Sequence, residues 1–222
     1  MDFKADISNV IGSSCPQKAL LLLHGYGSNG ADMLGLAEQL LPIFPDVVFV
    51  APDAPESIGP ESYVWYELPA CEDDMGALVK ENLCRKLKDV CVKKSLYISM
   101  LIDKIKSKYS LKNKDVGLWG FSQGGLLALV SGLMIQPSLS CVIASSSIPL
   151  IEGGSWLRSK PPCLLTHGQM DDVVPPIAMD ITNRILQKEG ISVQSCLSPS
   201  LFHGIDNLCQ QEAIRFLKSL WK

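Results

Sequence analysis

The sequence predicts an α/β domain with a mostly parallel sheet, doubly wound by helices on both faces. Three observations carry that reading. Short apolar runs alternate with longer segments of helical period along the chain. The runs are apolar throughout rather than every second residue, the pattern of strands buried on both faces of a parallel sheet. At 222 residues, without repeats, low-complexity tracts or a Gly/Pro/Ser-rich linker, residues 1–222 are expected to form a single domain.

Taken in order, Ala19–His24 and Val47–Ala51 read as buried strands, with a helix over Asp32–Leu41 between them. Residues 52–74 break the alternation: four prolines, Trp65 and two tyrosines occur with no clear period. A loop this long in a compact domain usually serves a site. It leaves the C-terminal end of a strand, where open parallel sheets bind ligands. Trp65 and Tyr66 are therefore candidates for a substrate wall. Met75–Tyr109 has helical period, with Leu87, Val90, Ile98, Leu101, Ile102 and Ile105 on one face. Asp115–Gly120 reads as a strand followed at once by an apolar helix, Gln123–Ile135. Strands at Ser140–Ser146, Cys163–His167 and Ser192–Leu197, with helices at Pro176–Lys188 and Asn207–Leu220, complete the set.

Composition excludes several classes. A net charge of −3 and a pI near 5.6 argue against a nucleic-acid binder. The lysines between Lys80 and Lys114 lie at helical spacing among apolar residues and read as a solvated face. No apolar stretch is long enough to span a bilayer, and residues 1–17 lack the apolar core of a signal peptide, so a cytoplasmic location is expected. Eight cysteines are scattered through apolar segments and read as buried thiols in a reducing compartment. None forms a Cys-x-x-Cys pair, and no metal site is expected.

Gly120-Phe121-Ser122-Gln123-Gly124 matches the Gly-x-Ser-x-Gly nucleophile elbow. The bare pattern is weak, but its context is specific. A catalytic serine of this type sits on a sharp turn between a buried strand and a helix. Val116–Trp119 and Gly125–Leu129 supply both sides of that turn. Ser122 is thus the candidate nucleophile, and glycines at 120 and 124 would relieve collisions with the neighbouring strand and helix.

A serine needs a base, and the base an orienting acid. In α/β hydrolases these follow in the order Ser, acid, His. Of the three histidines, His24 precedes the serine and His167 precedes a suitable acid. His203, in a loop after the last expected strand, is left as the base. Asp171 and Asp172 both lie just beyond the strand that ends at His167, and spacing alone does not choose between them. The oxyanion hole needs two backbone N–H donors. Gln123, first in its helix, offers one, and the loop His24-Gly25-Tyr26-Gly27 offers the other through Tyr26.

Together these segments resemble the phospholipase/carboxylesterase family of small α/β hydrolases, which includes the acyl-protein thioesterases. The resemblance runs through Leu22–Gly27, Ala51–Pro55, Trp65-Tyr66, Gly120–Gly125, His167-Gly168 with Asp171, and His203-Gly204. It implies the α/β-hydrolase fold, Asp171 as the acid, an ester or thioester of small-molecule type as substrate, no metal or organic cofactor, and pairing into a homodimer. Two departures shape the expected substrate. Ser145-Ser146-Ser147-Ile148-Pro149 is small and polar where family members often carry an aromatic. The segment between Ile58 and Tyr63 is shorter than in acyl-protein thioesterases and closer to bacterial-type carboxylesterases. Both favour general carboxylesterase activity through an acyl-enzyme. The alternatives are a thioesterase or lysophospholipase for long acyl chains, an acyltransferase or perhydrolase on the same fold, and a non-catalytic binding module, which would need a broken Ser-His-Asp set.

Overall fold

A computed structural model describes residues 7–68, 79–151 and 156–221. Seven strands form one sheet: β1 (Val10–Gly12), β2 (Lys18–Leu23), β3 (Val47–Val50), β6 (Val116–Phe121), β7 (Cys141–Ser145), β8 (Cys163–Gly168) and β9 (Val193–Ser198). Their order is β1-β3-β2-β6-β7-β8-β9. All neighbours run parallel except β1, which pairs antiparallel with β3.

Strand alternation divides the core into two layers. Ala19, Leu21 and Leu23 of β2 face the helices α2 (Glu81–Tyr109), α3 (Gln123–Met134) and α4 (Ile177–Lys188). Leu20 and Leu22 face α1 (Gly30–Leu40) and α5 (Asn207–Leu220). Covering both faces is why β2, β3, β6, β7 and β8 carry apolar residues at nearly every position. The expected doubly wound α/β architecture is what the chain adopts. Chain order reverses between β2 and β6: β3 lies on one side of β2, and β6 to β9 extend from the other. The crevice at such a switch point, at the carboxyl ends of the strands, is where this architecture keeps its ligands.

Three features differ from the sequence reading. β1 is an additional edge strand, only three residues long and too short to show a period. The stretch taken as an irregular loop at 52–74 contains a small hairpin, β4 (Glu56–Gly59) and β5 (Ser62–Val64), while residues 69–74 lie outside the described residues. A register shift between Ser57 and Gly59 erases the alternation that would have revealed it. Lys88, expected on a solvated face, is buried on α2 with Asp89 at 3.5 Å.

The long helical stretch begins at Glu81 within the described residues, and the expected residues 75–78 lie outside them. Cys84, Cys91, Cys141, Cys163 and Cys209 are buried free thiols as expected, Cys196 is half-buried, and Cys15 is exposed. Cys71 lies outside the described residues. Burial pushes the Cys91 and Cys141 thiols up to about 12, which makes them inert packing groups. Among the described residues, no helix is long and apolar enough to cross a membrane, and no cluster could hold a metal ion.

Candidate active site

Ser122 stands between β6 and α3, at the switch point. Its backbone has φ 53° and ψ −114°, a conformation that costs a non-glycine residue about 1–3 kcal/mol. Three backbone hydrogen bonds hold it there: the Ser122 N–H donates to the Ser145 carbonyl at 2.9 Å, and the Ser122 carbonyl accepts from the N–H groups of Gly125 at 3.0 Å and Leu126 at 3.3 Å. The turn is so tight that a Cβ on Gly120 would lie 2.1 Å from the Gly124 carbonyl oxygen. A Cβ on Gly124 would lie 2.3 Å from the Leu23 carbonyl oxygen. Strand β2 and helix α3 therefore approach through glycine alone. Gly124→Ala is expected to cost about 3 kcal/mol, lowering Tm by roughly 6–12 °C in a thermal melt and displacing Ser122.

The loop after β8 and the loop after β9 bring two further groups to the serine. His203 Nε2 lies 3.0 Å from Ser122 Oγ, and His203 Nδ1 lies 3.0 and 2.9 Å from the two oxygens of Asp171. A carboxylate only accepts, so Nδ1 carries the proton and Nε2 is left bare to accept the serine hydroxyl. The loops are stitched together by the Gln169 N–H to the Ser198 carbonyl and the Met170 N–H to the Leu201 carbonyl. Phe121 supports the imidazole, with ring centroids 4.9 Å apart.

Asp171 is fully desolvated at its side chain. Burial works against its charge, but hydrogen bonds from His167, His203 and the Val174 N–H outweigh that and hold the carboxyl far below the usual carboxylate range. Asp172, its neighbour and rival in the sequence, is exposed.

The loop His24–Gly27 closes the other side. No backbone carbonyl takes the N–H of Tyr26 or Gln123 among the described residues, leaving both free for a ligand. Gln123 also sits at the positive end of the α3 dipole. The loop's shape is set from the 52–68 segment. The Gly27 N–H donates to the Tyr63 carbonyl at 2.9 Å, and Ser62 Oγ donates to the Gly27 carbonyl at 2.8 Å. His24 is wholly buried. Its Nδ1–H donates to the Gly25 carbonyl at 2.7 Å, and its Nε2 accepts the Ala54 N–H at 3.0 Å. Burial lowers the His24 pKa, so it is a neutral strut between the loop and β3's exit.

A model of the family described as Phospholipase/Carboxylesterase matches residues 6–221. The chain belongs to that family. Acyl-protein thioesterase 1 of Emericella nidulans is 28% identical over 170 residues, 70% of each chain. Its namesake from Saccharomyces cerevisiae is 25% identical over 193 residues, 81% of each. Among solved structures, esterase PE8 superposes with a TM-score of 0.84 at 30% identity, covering 96% of this chain and 97% of its own. SOBER1 of Arabidopsis thaliana superposes at 0.77 with 22% identity, covering 92% and 99%, a likeness of fold. As a member of this family the protein is a serine hydrolase that acts on esters.

In this family member Trp65 and Tyr66 are not placed as a wall. Each is 1% exposed, and together they form a floor beneath Gln123. The Trp65 N–H donates to Gln123 Oε1 at 3.0 Å, Gln123 Nε2 donates to the Tyr66 carbonyl at 2.7 Å, and the Tyr66 hydroxyl donates to the Gln123 carbonyl at 3.2 Å. Trp65 Nε1 donates to the His24 carbonyl at 2.8 Å. The aromatic pair thus braces both stretches of backbone that carry the free N–H groups.

The three serines at the end of β7 and just beyond it are turned to the fold as well. Ser145 Oγ accepts from Trp119 Nε1 and from Thr166 Oγ1, and Ser146 Oγ donates to the Gly204 carbonyl beside His203. The group that sequence reasoning missed is His167. It is buried, and its Nε2 lies 2.9 Å from the Val174 carbonyl and 3.2 Å from Asp171 Oδ2. Both partners only accept, so Nε2–H donates to both and buttresses the carboxylate opposite His203.

Proposed function

We propose that this protein is a carboxylesterase working through an acyl-enzyme on Ser122, with His203 as base and Asp171 as its orienting acid. The contact chain from Ser122 Oγ through His203 to Asp171, at 3.0 and 2.9 Å, is the observation that supports it. Nε2 takes the hydroxyl proton as Oγ attacks the ester carbonyl. The Nδ1–H bond to Asp171 keeps the useful tautomer and stabilises the imidazolium that forms. Negative charge on the carbonyl oxygen is met by the N–H groups of Tyr26 and Gln123. The imidazolium then returns its proton to the departing alcohol as the C–O bond breaks. Water repeats the sequence on the acyl-enzyme and releases the acid. A fluorophosphonate probe should label the protein covalently and fail to label Ser122→Ala; equal labelling of both would overturn the assignment.

General esterase action is favoured over dedicated cleavage of long-chain thioesters. The esterase relative is matched at 30% identity across nearly the whole chain, and the thioesterases at 22–28%. With p-nitrophenyl esters from C2 to C16, kcat/KM is expected to be highest for short chains. A steep rise toward C16 would instead assign the long-chain reading. Free thiols throughout the described residues fit work in the reducing cytoplasm.

A further inference from the structure

Beside His203 the chain forms an open pocket of about 390 Å³, between α1, the end of β6 and the turn into α5. That volume falls in the lower part of the range of small-molecule sites, about 300–1,000 Å³. We propose that this cavity receives the alcohol half of the ester and selects leaving groups with a positive charge at their far end over those with a negative one. The proposal rests on the reading of Ser122 and His203 as nucleophile and base.

The side of the site follows from proton transfer. The acid that protonates a departing oxygen must lie within hydrogen-bond reach of it, so the alcohol leaves on the His203 side. Its C–O bond breaks, it takes the proton from Nε2, and the acyl group stays on Ser122 Oγ. The cavity is walled by His203 and Phe121. It is also walled by Gly25, whose missing Cβ would lie 3.5 Å from Ser122 Cβ. It therefore opens within one side chain's reach of the nucleophile.

The chemistry of the occupant follows from the remaining walls. Met33, Leu36 and Ile205 offer an apolar surface for a compact carbon body. Gln39 and Gln210 border the same space, and among the described residues neither side-chain amide has a protein partner. Asp32 is the sole carboxylate among the described lining residues, and no lysine or arginine lines the cavity with it. Its Oδ2 accepts from Ser28 Oγ at 2.5 Å, and it takes part in no ion pair among the described residues. A cationic end group would find there a charge that no protein cation already neutralises, and an anionic one would be repelled.

Three butyrate esters sharing one acyl half test this: those of choline, of its neutral isostere 3,3-dimethylbutanol, and of glycolate. The expected order of kcat/KM is choline, dimethylbutyl, glycolate, with the first two separated by about two- to five-fold, the scale of an exposed ion pair, since Asp32 is exposed. In Asp32→Asn that ratio should fall to about one, and the glycolate ester should gain on both. Leu36→Trp, which narrows the cavity, should lower kcat/KM for the choline ester more than for methyl butyrate. It should leave the shape of the acyl-length profile of methyl esters as in the parent. A choline-to-dimethylbutyl ratio unmoved by Asp32→Asn overturns the charge selection. A Leu36→Trp variant that reshapes the acyl profile makes the cavity an acyl site and overturns the whole. Either result, obtained with turnover that disappears in Ser122→Ala, sinks this proposal alone. Absence of Ser122-dependent turnover on every ester sinks the hydrolytic reading beneath it.

Discussion

Ser122→Ala and His203→Ala should each lower kcat for p-nitrophenyl acetate by about 10⁶-fold with KM little changed, because both remove a group that acts only as the barrier is crossed. Neither should abolish catalysis over water, since the N–H groups of Tyr26 and Gln123 remain, worth roughly 10³–10⁴ together with binding. The double variant should be no slower than either single one. With the base gone the serine is not activated, and with the serine gone the base has nothing to deprotonate. Losses that multiply in the double variant would mean that the 3.0 Å contact between Nε2 and Oγ is not used as a unit, and the mechanism would have to be redrawn.

Asp171→Asn should cost about 10⁴ in kcat, the scale expected when an amide replaces the acid and His203 settles in the wrong tautomer. The same substitution carries a stability signature. Asp171 is held far below the usual carboxylate range, with burial opposed and outweighed by the hydrogen bonds of His167, His203 and Val174. A group whose folded pKa is depressed contributes stability that is present above its unfolded value, about 3.9, and is lost as pH falls toward the folded value. The gap in Tm between parent and Asp171→Asn should therefore be full at pH 7 and narrow below about pH 4. Thermal melts across pH 3–7 check this. A gap that widens on acidification would mean that the carboxylate is not stabilised by its neighbours.

Much of this was legible in the sequence, for physical reasons that differ by element. Strands β2, β3, β6, β7 and β8 announce themselves because burial on both faces favours apolar residues at nearly every position, the few polar ones being hydrogen-bonded. Ser122 is readable because the elbow leaves no room at positions 120 and 124 for anything but glycine. His203 follows by elimination among three histidines. The acid does not follow, because Asp171 and Asp172 are adjacent in the chain and only the turn that buries one and exposes the other separates them. Family resemblance, not spacing, pointed to Asp171. Trp65 and Tyr66 show the opposite limit. Aromatic residues look alike in a sequence whether they line a pocket or pack beneath one, and their hydrogen bonds to Gln123 and His24 join positions far apart in the chain. His167 was invisible for a related reason. It belongs to a strand whose side chains read as core, and only the bend after Gly168 carries Asp171 back to its ring.

The position of β9 at the edge of the sheet has a consequence for how activity is lost. Sheets open from their margins inward, and β9 is a margin, with Gln194, Ser195 and Leu197 exposed. Ser122 and the N–H groups of Tyr26 and Gln123 sit at the centre, beyond the ends of β6 and β2, while His203, the proposed base, hangs from the loop beyond the outermost strand. A molecule with β9 detached would still present a serine and a polarising cradle, yet would have nothing to take the proton. Opening of the sheet at β9 is therefore expected to abolish the proposed activity while the inner strands are still paired.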